Sequence, residues 1–259
     1  MISRNQIKLI RSLELKKNRR REQLFVAEGP KVIGDLLRGG YRAHSIFATR
    51  HDLTGDHWPA DIQPVTDEEL RRISFLQHPQ EVLALMKMPT EQPLSYPTDE
   101  QLSLALDGVQ DPGNMGTIIR VADWFGIDTI YCSMDTADVY NPKVVQATMG
   151  SLAHVKVIYG DLADIIRKAS CPVYGTLLDG QNIYEQALTK GGLIVMGNEG
   201  NGISAPVREL VTHRLLIPNY HQGSETAESL NVAIATAITC AEFRRSQPLS
   251  SCSAPLPHL

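Results

Sequence analysis

Polar residues that could act together on a substrate occur in three stretches of this sequence, "DGVQDPGNMGTIIRVADWFG", "LIVMGNEGNGIS" and "LLIPNYHQGSETAESLNVAIA". Their candidate side chains are Asn114 and Arg120 in the first stretch, Glu199 in the second, and Ser229 and Asn231 in the third. Amide, guanidinium, carboxylate and hydroxyl groups can orient a polar ligand and can hold or move a proton. The three stretches would form one site for a polar substrate if the fold brought them together.

Each stretch follows or includes a short apolar run, and such runs recur through the C-terminal part of the chain. They are "LSLALD", "DTIYC", "VKVIY", "PVYGTLL", "LIVMG" and "RLLIP". Short, nearly continuous apolar runs with helical patterns between them are typical of buried parallel strands. We therefore expect an α/β fold, with a mostly parallel sheet and helices on both faces. Ligands of such sheets bind at the carboxyl ends of the strands, so the three polar stretches could converge on one crevice.

Two helical patterns accompany the polar stretches. In the first stretch Asn114 is a sensible N-cap and Gly126 closes the helix, whereas Arg120 falls outside the apolar stripe. That stripe consists of Ile118, Val121, Ala122 and Phe125. In the last helix one apolar face consists of Leu230, Ile234, Ala237, Ile238 and Ala241. This helix is too apolar to expose a broad face, so it is either wholly buried in one subunit or part of a homodimer.

The composition divides the chain into parts. Residues 1–88 predict a smaller N-terminal α/β domain, and residues 89–100, with three prolines, predict a linker. The sheet domain is expected over residues 101–245, followed by a tail without periodicity at 246–259.

Positive charge is concentrated at the start of the chain. Residues 1–21 contain eight Lys or Arg and one acidic residue, a net charge of +7, whereas the remainder has 17 basic and 28 acidic residues, a net charge of −11. This asymmetry suggests a local nucleic-acid contact on an acidic body; the alternative is a solvated face of an amphipathic helix. The candidate RNA contacts are Lys16, Lys17, Arg19, Arg20 and Arg21.

Several other classes of protein are disfavoured by the sequence. It has no apolar run long enough to span a membrane and no secretory signal, so we expect a cytoplasmic protein without a membrane partner. The cysteines and the histidines His154, His213 and His221 lack metal-ligand spacing, so no metal is expected. The glycines around Glu199 do not follow the dinucleotide or phosphate-loop patterns.

Taken together, the three stretches resemble the three motifs of the SpoU/TrmH family of RNA ribose 2′-O-methyltransferases, in the right order. "NMGTIIRVADWFG" resembles the first motif, "VMGNEGNGIS" the second and "IPNYHQGSETAESLNVAIA" the third. The segment "KKNRRREQLFVAEGPKVIGDLL" resembles the family's N-terminal substrate-binding domain, which is similar to ribosomal proteins. One departure is the stretch between Ile217 and Ser229, which is longer than is usual in the third motif.

The resemblance implies methyl transfer from S-adenosylmethionine to a ribose 2′-hydroxyl of tRNA or rRNA, by a homodimer with a deep trefoil knot, the SPOUT fold. It implies catalysis by Arg120, with the site organised by Asn114, Glu199, Ser229 and Asn231. The positions that match the family's cofactor contacts are Gly197, Ile217 and Leu230, with Leu177 in "GTLLDG" forming another wall.

Three alternatives remain open at this point. Arginine normally stays protonated and is a poor base, so Arg120 could instead clamp a phosphate and favour ionisation of the hydroxyl; His221 is the next candidate base. The protein could bind RNA or assist ribosome assembly without catalysis, or it could methylate a base. The intact Arg120, Glu199 and "SLN" argue against the non-catalytic reading.

Overall fold

The computed structural model of the protein describes residues 1–49, 58, 61–90, 94–221 and 229–245. The expected tail at 246–259, part of the linker and most of the long third loop lie outside these residues. The strands are β1 (Leu24–Glu28), β2 (Ala43–Ala48), β3 (Gln63–Pro64), β4 (Val82–Lys87), β5 (Leu102–Asp107), β6 (Thr129–Cys132), β7 (Lys156–Tyr159), β8 (Val173–Asn182), β9 (Gly192–Gly197) and β10 (His213–Leu216). The helices are α1 (Arg4–Ser12), α2 (Lys16–Glu22), α3 (Pro30–Arg38), α4 (Asp67–Ile73), α5 (Pro112–Trp124), α6 (Pro142–Ala147), α7 (Leu162–Arg167), α8 (Ala205–Arg208) and α9 (Val232–Arg245).

The N-terminal sheet has the order β1-β4-β2-β3, with β4 antiparallel to both of its neighbours. Because successive strand residues point to opposite faces, alternate residues pack on different helices. Val26 and Leu85 lie in one core with residues of α1 and α4, whereas Phe25 and Ala84 lie in a second core with residues of α3. This second core continues into the C-terminal sheet, so α3 is on the side of the N-terminal sheet that faces the rest of the protein.

The C-terminal sheet has six parallel strands in the order β10-β8-β9-β5-β6-β7, which confirms the predicted fold class. Every residue of β5 is buried, as its continuous apolar sequence indicates. From β5 the chain adds β6 and β7 on one side, and β8, β9 and β10 lie on the other. A topological switch point therefore lies between β5 and β9, the place where open α/β sheets form ligand crevices. The trefoil knot stays a prediction.

The helix α5 begins earlier than the sequence analysis predicted. Its N-cap is Asp111, whose carboxylate accepts a hydrogen bond from the backbone N–H of Asn114 at 2.8 Å, so the assignment of Asn114 as the cap is wrong. The Asp-Pro order explains this outcome, because an aspartate cap followed by proline in the first turn is a favourable helix start. The side chain of Asn114 is consequently available for other contacts. Gly126 follows the helix with a φ of +63°, as expected for a closing glycine.

The apolar face predicted for α9 is not its main buried face. Val232, Ala233, Cys240 and Phe243 are among the residues that α9 buries. Ile234, in contrast, is 53% exposed, and Leu230, just before the helix, is 50% exposed. The sequence could not decide between these faces because the helix is apolar on both of them. Only one face packs within the subunit, so the reading of a wholly buried helix is wrong.

Arg19 is buried and connects the N-terminal domain to the C-terminal domain. Its side chain is 2% exposed and donates hydrogen bonds to the carbonyls of Leu13 and Glu14 and to the carboxylate of Asp138. A guanidinium with these three partners cannot also contact RNA phosphate. The expectation that Arg19 binds RNA is therefore wrong, because charge patterning does not distinguish a buried arginine from exposed neighbours.

Candidate active site

The carboxyl ends of β5 and β9 form the centre of the candidate site. Asp107 at the end of β5 pairs with Gly197 at the end of β9. The carboxylate of Asp107 accepts a hydrogen bond from the backbone N–H of Ser204 at 2.7 Å. Asp107 thus fastens the loop after β9 to the strand that leads into α5. This role of Asp107 was not predicted, although an aspartate at the end of an apolar strand is a visible signal.

Three of the predicted site residues form a chain of hydrogen bonds across the three loops. The amide nitrogen of Asn231 donates to the amide oxygen of Asn114 at 2.9 Å, and the amide nitrogen of Asn114 donates to the carboxylate of Glu199 at 3.0 Å. An ionised carboxylate can only accept hydrogen bonds, so Glu199 fixes which end of the Asn114 amide faces it. The amide oxygen of Asn114 must then face Asn231. The donor and acceptor in both hydrogen bonds are therefore set by the negative charge of Glu199.

Each member of this chain is also fixed by its own element. Asn231 caps α9, where its amide oxygen accepts from the backbone N–H of Ala233 at 2.9 Å. The loop that carries Glu199 is held by Asn198, whose amide nitrogen donates to the carbonyl of Gly108 at 2.6 Å. The amide oxygen of Asn198 accepts from the backbone N–H groups of Gly200 and Asn201, both at 2.9 Å. Asn198 is a second positioning residue that the sequence analysis did not single out.

Arg120 lies on α5, six residues after Asn114, which corresponds to about 9 Å along the helix axis. It is exposed and, within the described residues, its guanidinium makes no hydrogen bond or ion pair with another side chain. No hydrogen bond joins it to Asn114, Glu199 or Asn231. The structure therefore places Arg120 on the helix that leads away from the network, with its charge available to a ligand.

Ser229 is the remaining residue of the predicted catalytic set. It is exposed, two residues before Asn231, at the point where the described part of the third loop resumes. No hydrogen bond connects its side chain to another described residue. His221, the alternative base, lies at the other end of the gap, so most of the long loop that carries these residues is outside the described residues.

The four predicted cofactor residues occupy different environments: Leu177 lies within β8, Gly197 ends β9, Ile217 follows β10 and Leu230 precedes α9. Leu177 is buried, Gly197 and Ile217 are half-buried, and Leu230 is 50% exposed. At Gly197 a Cβ atom would lie 2.2 Å from the backbone of Gly202, so the loop after β9 approaches this strand closely. Backbone groups and apolar side chains of this kind suit a ligand that combines an adenine ring with polar edges.

The segment of β8 around Leu177 is not paired with β10, although the residues of β8 on both sides of it are. Arg214 of β10 pairs with Gly175, and the next residue of β10 pairs with Gln181. Asp179, in the excursion, accepts hydrogen bonds from Arg208 at 2.6 Å and Arg214 at 2.8 Å. Burial alone would raise the pKa of Asp179, but the two arginines hold it below its usual range. These contacts fix the wall that contains Leu177.

The basic residues of α2 differ in their surroundings. Lys17, Arg20 and Arg21 are exposed, and Arg21 contacts Glu22 at 2.8 Å. Lys16 is partly covered, with its Nζ 5.8 Å from the ring centre of Tyr159. With Arg19 removed from the set, four cations of α2 remain available for an anionic partner.

The described residues can be compared with the requirements of a metal site and of a membrane-spanning helix. They contain no group of histidine, cysteine, aspartate or glutamate side chains that could hold a metal ion. Among them, no helix combines the length and the hydropathy needed to cross a membrane.

The fold is an open parallel α/β sheet whose polar loops meet at its switch point, and comparison with known proteins gives the family of the chain. Residues 101–241 match the SpoU rRNA Methylase family, and residues 4–84 match the MRM3-like substrate binding domain. The chain therefore belongs to the SpoU rRNA methylase family.

Individual relatives cover almost the whole chain. The 23S rRNA (guanosine(2553)-2′-O)-methyltransferase RlmP of Bacillus subtilis is 30% identical, and the match covers 90% of this chain and 94% of RlmP. An RNA methyltransferase of the TrmH family from Porphyromonas gingivalis has a solved structure that is 44% identical, with a TM-score of 0.84 over 95% of this chain and 99% of that chain. The AdoMet-bound rRNA methyltransferase from Sinorhizobium meliloti is 29% identical, with a TM-score of 0.84 over 96% of this chain and 98% of that chain.

Proposed function

We propose that this protein, an S-adenosylmethionine-dependent RNA methyltransferase of the SpoU family, methylates a ribose 2′-hydroxyl of ribosomal RNA. The observation that carries the proposal is the chain of hydrogen bonds from Asn231 through Asn114 to Glu199 at the switch point of the sheet. Within the tRNA-or-rRNA substrate class that the sequence suggested, ribosomal RNA is favoured because the full-length relative RlmP carries that activity in its name.

The cofactor proposal rests on the residues around the end of β9. Gly197 and Ile217 would hold S-adenosylmethionine through backbone groups, while Leu177 and Leu230 would contact its apolar parts. When bound, S-adenosylmethionine supplies an electrophilic methyl group on a positively charged sulfur. Leu177 is buried at 8% exposure, whereas Leu230 is 50% exposed, so Leu177 would form the inner side of the cofactor site and Leu230 its outer side.

The protein's polar residues would orient the ribose and assist loss of its proton. A neutral hydroxyl is a weak nucleophile, so in-line positioning and stabilisation of the developing oxyanion must come from the protein. Arg120, whose guanidinium makes no hydrogen bond to the network, would contact the 2′-oxygen or the adjacent phosphate. The fixed Asn114 amide and the Glu199 carboxylate would hold the loop and the ribose hydroxyls, with Ser229 at the edge of the site.

The test is methyl transfer with chemically defined products. The protein is incubated with labelled S-adenosylmethionine and a large-subunit rRNA transcript, and the RNA is then digested with a nuclease that needs a free 2′-hydroxyl. A labelled dinucleotide that resists digestion is the expected result. Label in single nucleotides would instead indicate base methylation. RNA binding without any transfer to rRNA or to tRNA would support the non-catalytic alternative and reject the proposal.

A homodimer is part of the proposed function. The outer face of α9 carries Ile234 at 53% exposure, and Leu230, which precedes the helix, is 50% exposed. Trp124 at the end of α5, a helix that packs against α9, is 76% exposed. Exposed apolar residues on two adjacent helices favour burial against a second copy of the chain. The partner would then cover a surface next to Asn231.

The N-terminal domain is proposed to capture the RNA. Its exposed cations Lys17, Arg20 and Arg21, together with Lys16, lie on one short helix and would contact phosphates without reading sequence. The domain limits 1–88 and 101–245 remain our proposal, as does a cytoplasmic location, where ribosomal RNA would be accessible to the enzyme.

A further inference from the structure

A cleft of about 680 Å³ lies between the two domains, away from the three motif loops. One wall comes from the N-terminal domain, from the turn before β2 and the segment after β4, and includes Arg42 and Lys87. The other wall comes from the turn that leads into β7 and includes His154 and Lys156. The cleft residues therefore come from segments far apart in the sequence, and none of them belongs to the family motifs.

The two walls are held at a fixed distance by close contacts at their base. A Cβ atom at Gly39 would lie 2.7 Å from the Cβ of Ala153 and 2.8 Å from its carbonyl oxygen, so the domains touch at this glycine. The hydroxyl of Tyr41 lies 3.4 Å from the carbonyl of Leu152 as its hydrogen-bond donor. The ring of Tyr41 also packs edge-on against Phe25, at 5.9 Å between ring centres, in the core that both domains share. The cleft is thus a preformed feature.

The charges that line the cleft are positive. Arg42, Lys87 and Lys156 are all exposed, and no carboxylate belongs to the lining. In the part of the chain that the structure describes, none of these three cations has an ion pair, whereas Arg19, Lys31, Arg38 and Lys168 each have one. The whole protein has a net charge of −4, so a concave group of unpaired cations is a local exception. Such a group raises the local concentration of anions.

The cleft adjoins both elements that the proposed function assigns to RNA. On the catalytic side, the Nδ1 atom of His154 lies 3.2 Å from the carboxylate of Asp123, which is three residues after Arg120 on α5. That separation is about 4.5 Å along the helix, and residues three apart share a helix face. On the other side, the backbone N–H of Met88, a cleft residue, donates to the carbonyl of Gln23 at 2.9 Å, directly after α2.

We infer that this cleft binds backbone phosphates of the RNA and guides the strand between the basic helix α2 and Arg120. The inference rests on the proposed function, because it assumes that RNA is the substrate. Arg42, Lys87 and Lys156 contact phosphates, and Gly40, where an added Cβ atom would meet nothing within 4 Å, leaves room for the sugar-phosphate chain. Binding of this kind depends on charge and shape, so it orients the RNA without selecting the target nucleotide.

The test compares a cleft variant with a matched control in the full-length protein. The cleft variant carries Arg42→Gln, Lys87→Gln and Lys156→Gln. The control carries Lys8→Gln, Arg71→Gln and Arg72→Gln, which removes three exposed cations from α1 and α4, the helices on the opposite side of the N-terminal sheet. The probe is a large-subunit rRNA transcript, and its affinity is measured by filter binding over a series of salt concentrations. Calorimetry with S-adenosylmethionine and thermal unfolding check that each variant is folded.

In the cleft variant we expect the RNA affinity to fall by roughly ten- to a hundred-fold, and the slope of log K against log salt to become smaller by about 2. The KM for RNA should rise, while kcat at saturating RNA and the affinity for S-adenosylmethionine stay close to wild type. The control should keep the wild-type salt slope. A cleft variant with the slope and KM of the control would overturn the inference even if the wild-type enzyme methylates rRNA.

A second measurement distinguishes RNA from a free phosphate compound. Adenosine monophosphate and inorganic phosphate are titrated into the wild type and the cleft variant. Millimolar or weaker binding of both, beside much tighter binding of rRNA, agrees with a phosphate-backbone site. The opposite outcome is that the cleft variant loses tight binding of the mononucleotide while its slope of log K for RNA against log salt stays that of the wild type. This result would show a small-molecule site and would reject the inference that the cleft binds RNA. Failure of the proposed function would differ from both, because wild-type protein would then transfer no methyl group.

Discussion

Arg120 is an exposed cation that makes no hydrogen bond or ion pair with another described side chain, although it lies on the same helix as the fixed Asn114. If it stabilises charge on the 2′-oxygen, Arg120→Ala should lower kcat by at least about a hundred-fold, since the loss of a positioned donor to an oxyanion has this size. Arg120→Lys separates charge from geometry. Substantial activity in the lysine variant indicates electrostatic help, whereas near-complete loss indicates a need for the planar guanidinium.

Methyl transfer at saturating RNA and cofactor is the measurement for both Arg120 variants, and calorimetry with S-adenosylmethionine is the control. Because Arg120 makes no contact with the hydrogen-bonded network, cofactor affinity and thermal stability should be unchanged. Turnover in Arg120→Ala within a few-fold of wild type would show that another residue carries the catalytic role.

Variants of Glu199 can show whether this residue only orients the amide of Asn114 or acts on the substrate through its negative charge. Its carboxylate accepts from the amide of Asn114 at 3.0 Å, and an amide oxygen could accept the same bond. Glu199→Gln should therefore retain much of the activity, within about ten-fold, if Glu199 only orients Asn114. A loss of a hundred-fold or more, with normal cofactor binding, would mean that the negative charge itself acts on the substrate. Glu199→Ala is the comparison, since it removes both functions.

The residue types were better predicted than their exact roles. Asn114, Glu199 and Asn231 were found because polar side chains in loops after apolar strands stand out in the sequence, and the structure joins them. Asn198 and Asp107 were missed, because their bonds to Gly108 and Ser204 depend on loops that are far apart in the sequence. Arg19 was misjudged for the same reason, as Asp138 is 119 residues away.

At the scale of elements, the sequence predicted that α9 is a helix, but it did not predict which face of the helix is buried. Both sides of the helix are apolar, and the contact with α5 buries one of them. The strands were more predictable, since continuous apolar runs such as β5 and β9 can only be buried in a sheet covered on both faces. Their order was not predictable, because the sequence contains no direct record of which strands are neighbours.

The exposed side of α9 predicts a specific effect on assembly. Ile234→Asp places a charge on the proposed dimer surface, so we expect a dimer of the wild type and a monomer of the variant at micromolar concentration. Light scattering gives the mass directly. Leu15→Asp is the control, because Leu15 is exposed to a similar extent, 51% against 53%, but lies in the N-terminal domain. A monomeric wild type, or an Ile234→Asp variant that remains dimeric, would contradict this assignment.

Glu28 at the end of β1 predicts a pH effect on stability. Burial raises its pKa, and the hydrogen bonds from Ser74 and Phe75 and the charge of Arg11 only partly oppose this. With a raised pKa in the folded state, the ionised carboxylate costs stability at neutral pH, and the cost disappears as the pH falls through the ordinary carboxylic range. In Glu28→Gln the amide oxygen can still accept from the backbone N–H of Phe75, and the amide nitrogen can donate to the Ser74 hydroxyl, so both contacts persist without the charge although the second bond reverses its direction.

We therefore expect Glu28→Gln to stabilise the protein at pH 8 and to lose this advantage as the pH is lowered toward 4. Thermal unfolding of wild type and variant at several pH values measures the difference. The exposed Glu14→Gln is the control and should show little effect at any pH. A stabilisation of the same size at pH 8 and at low pH would show that ionisation of Glu28 is not the cause.

At the scale of the whole molecule, the two domains share one hydrophobic core. Phe25 of the N-terminal sheet stacks against Tyr140 of the C-terminal domain at 4.8 Å between ring centres, and both domains contribute to the same buried cluster. Composition indicated two parts of the chain, but it did not indicate how they pack. A fixed arrangement matters for the proposed function, because RNA held by α2 must reach Arg120 in a constant geometry.

The buried contact between Arg19 and Asp138 is the polar counterpart of this shared core. The guanidinium also donates to the carbonyls of Leu13 at 2.8 Å and Glu14 at 2.7 Å, so Arg19 connects the end of α1, the start of α2 and the catalytic domain. Arg19→Met preserves much of the side-chain volume but leaves Asp138 and two carbonyls without their donor. Breaking a buried ion pair in this way costs about 3–5 kcal/mol.

We expect Arg19→Met to lower the thermal stability strongly and to raise the KM for RNA, with cofactor affinity retained while the catalytic domain is folded. Arg20→Met is the matched control, because Arg20 is the exposed neighbour on the same helix and should change the stability little. Adding Asp138→Asn to Arg19→Met should recover part of the lost stability, since it removes the uncompensated charge. Equal stability of Arg19→Met and Arg20→Met would mean that the contact does not hold the domains together, and RNA capture would then have to tolerate relative motion between α2 and Arg120.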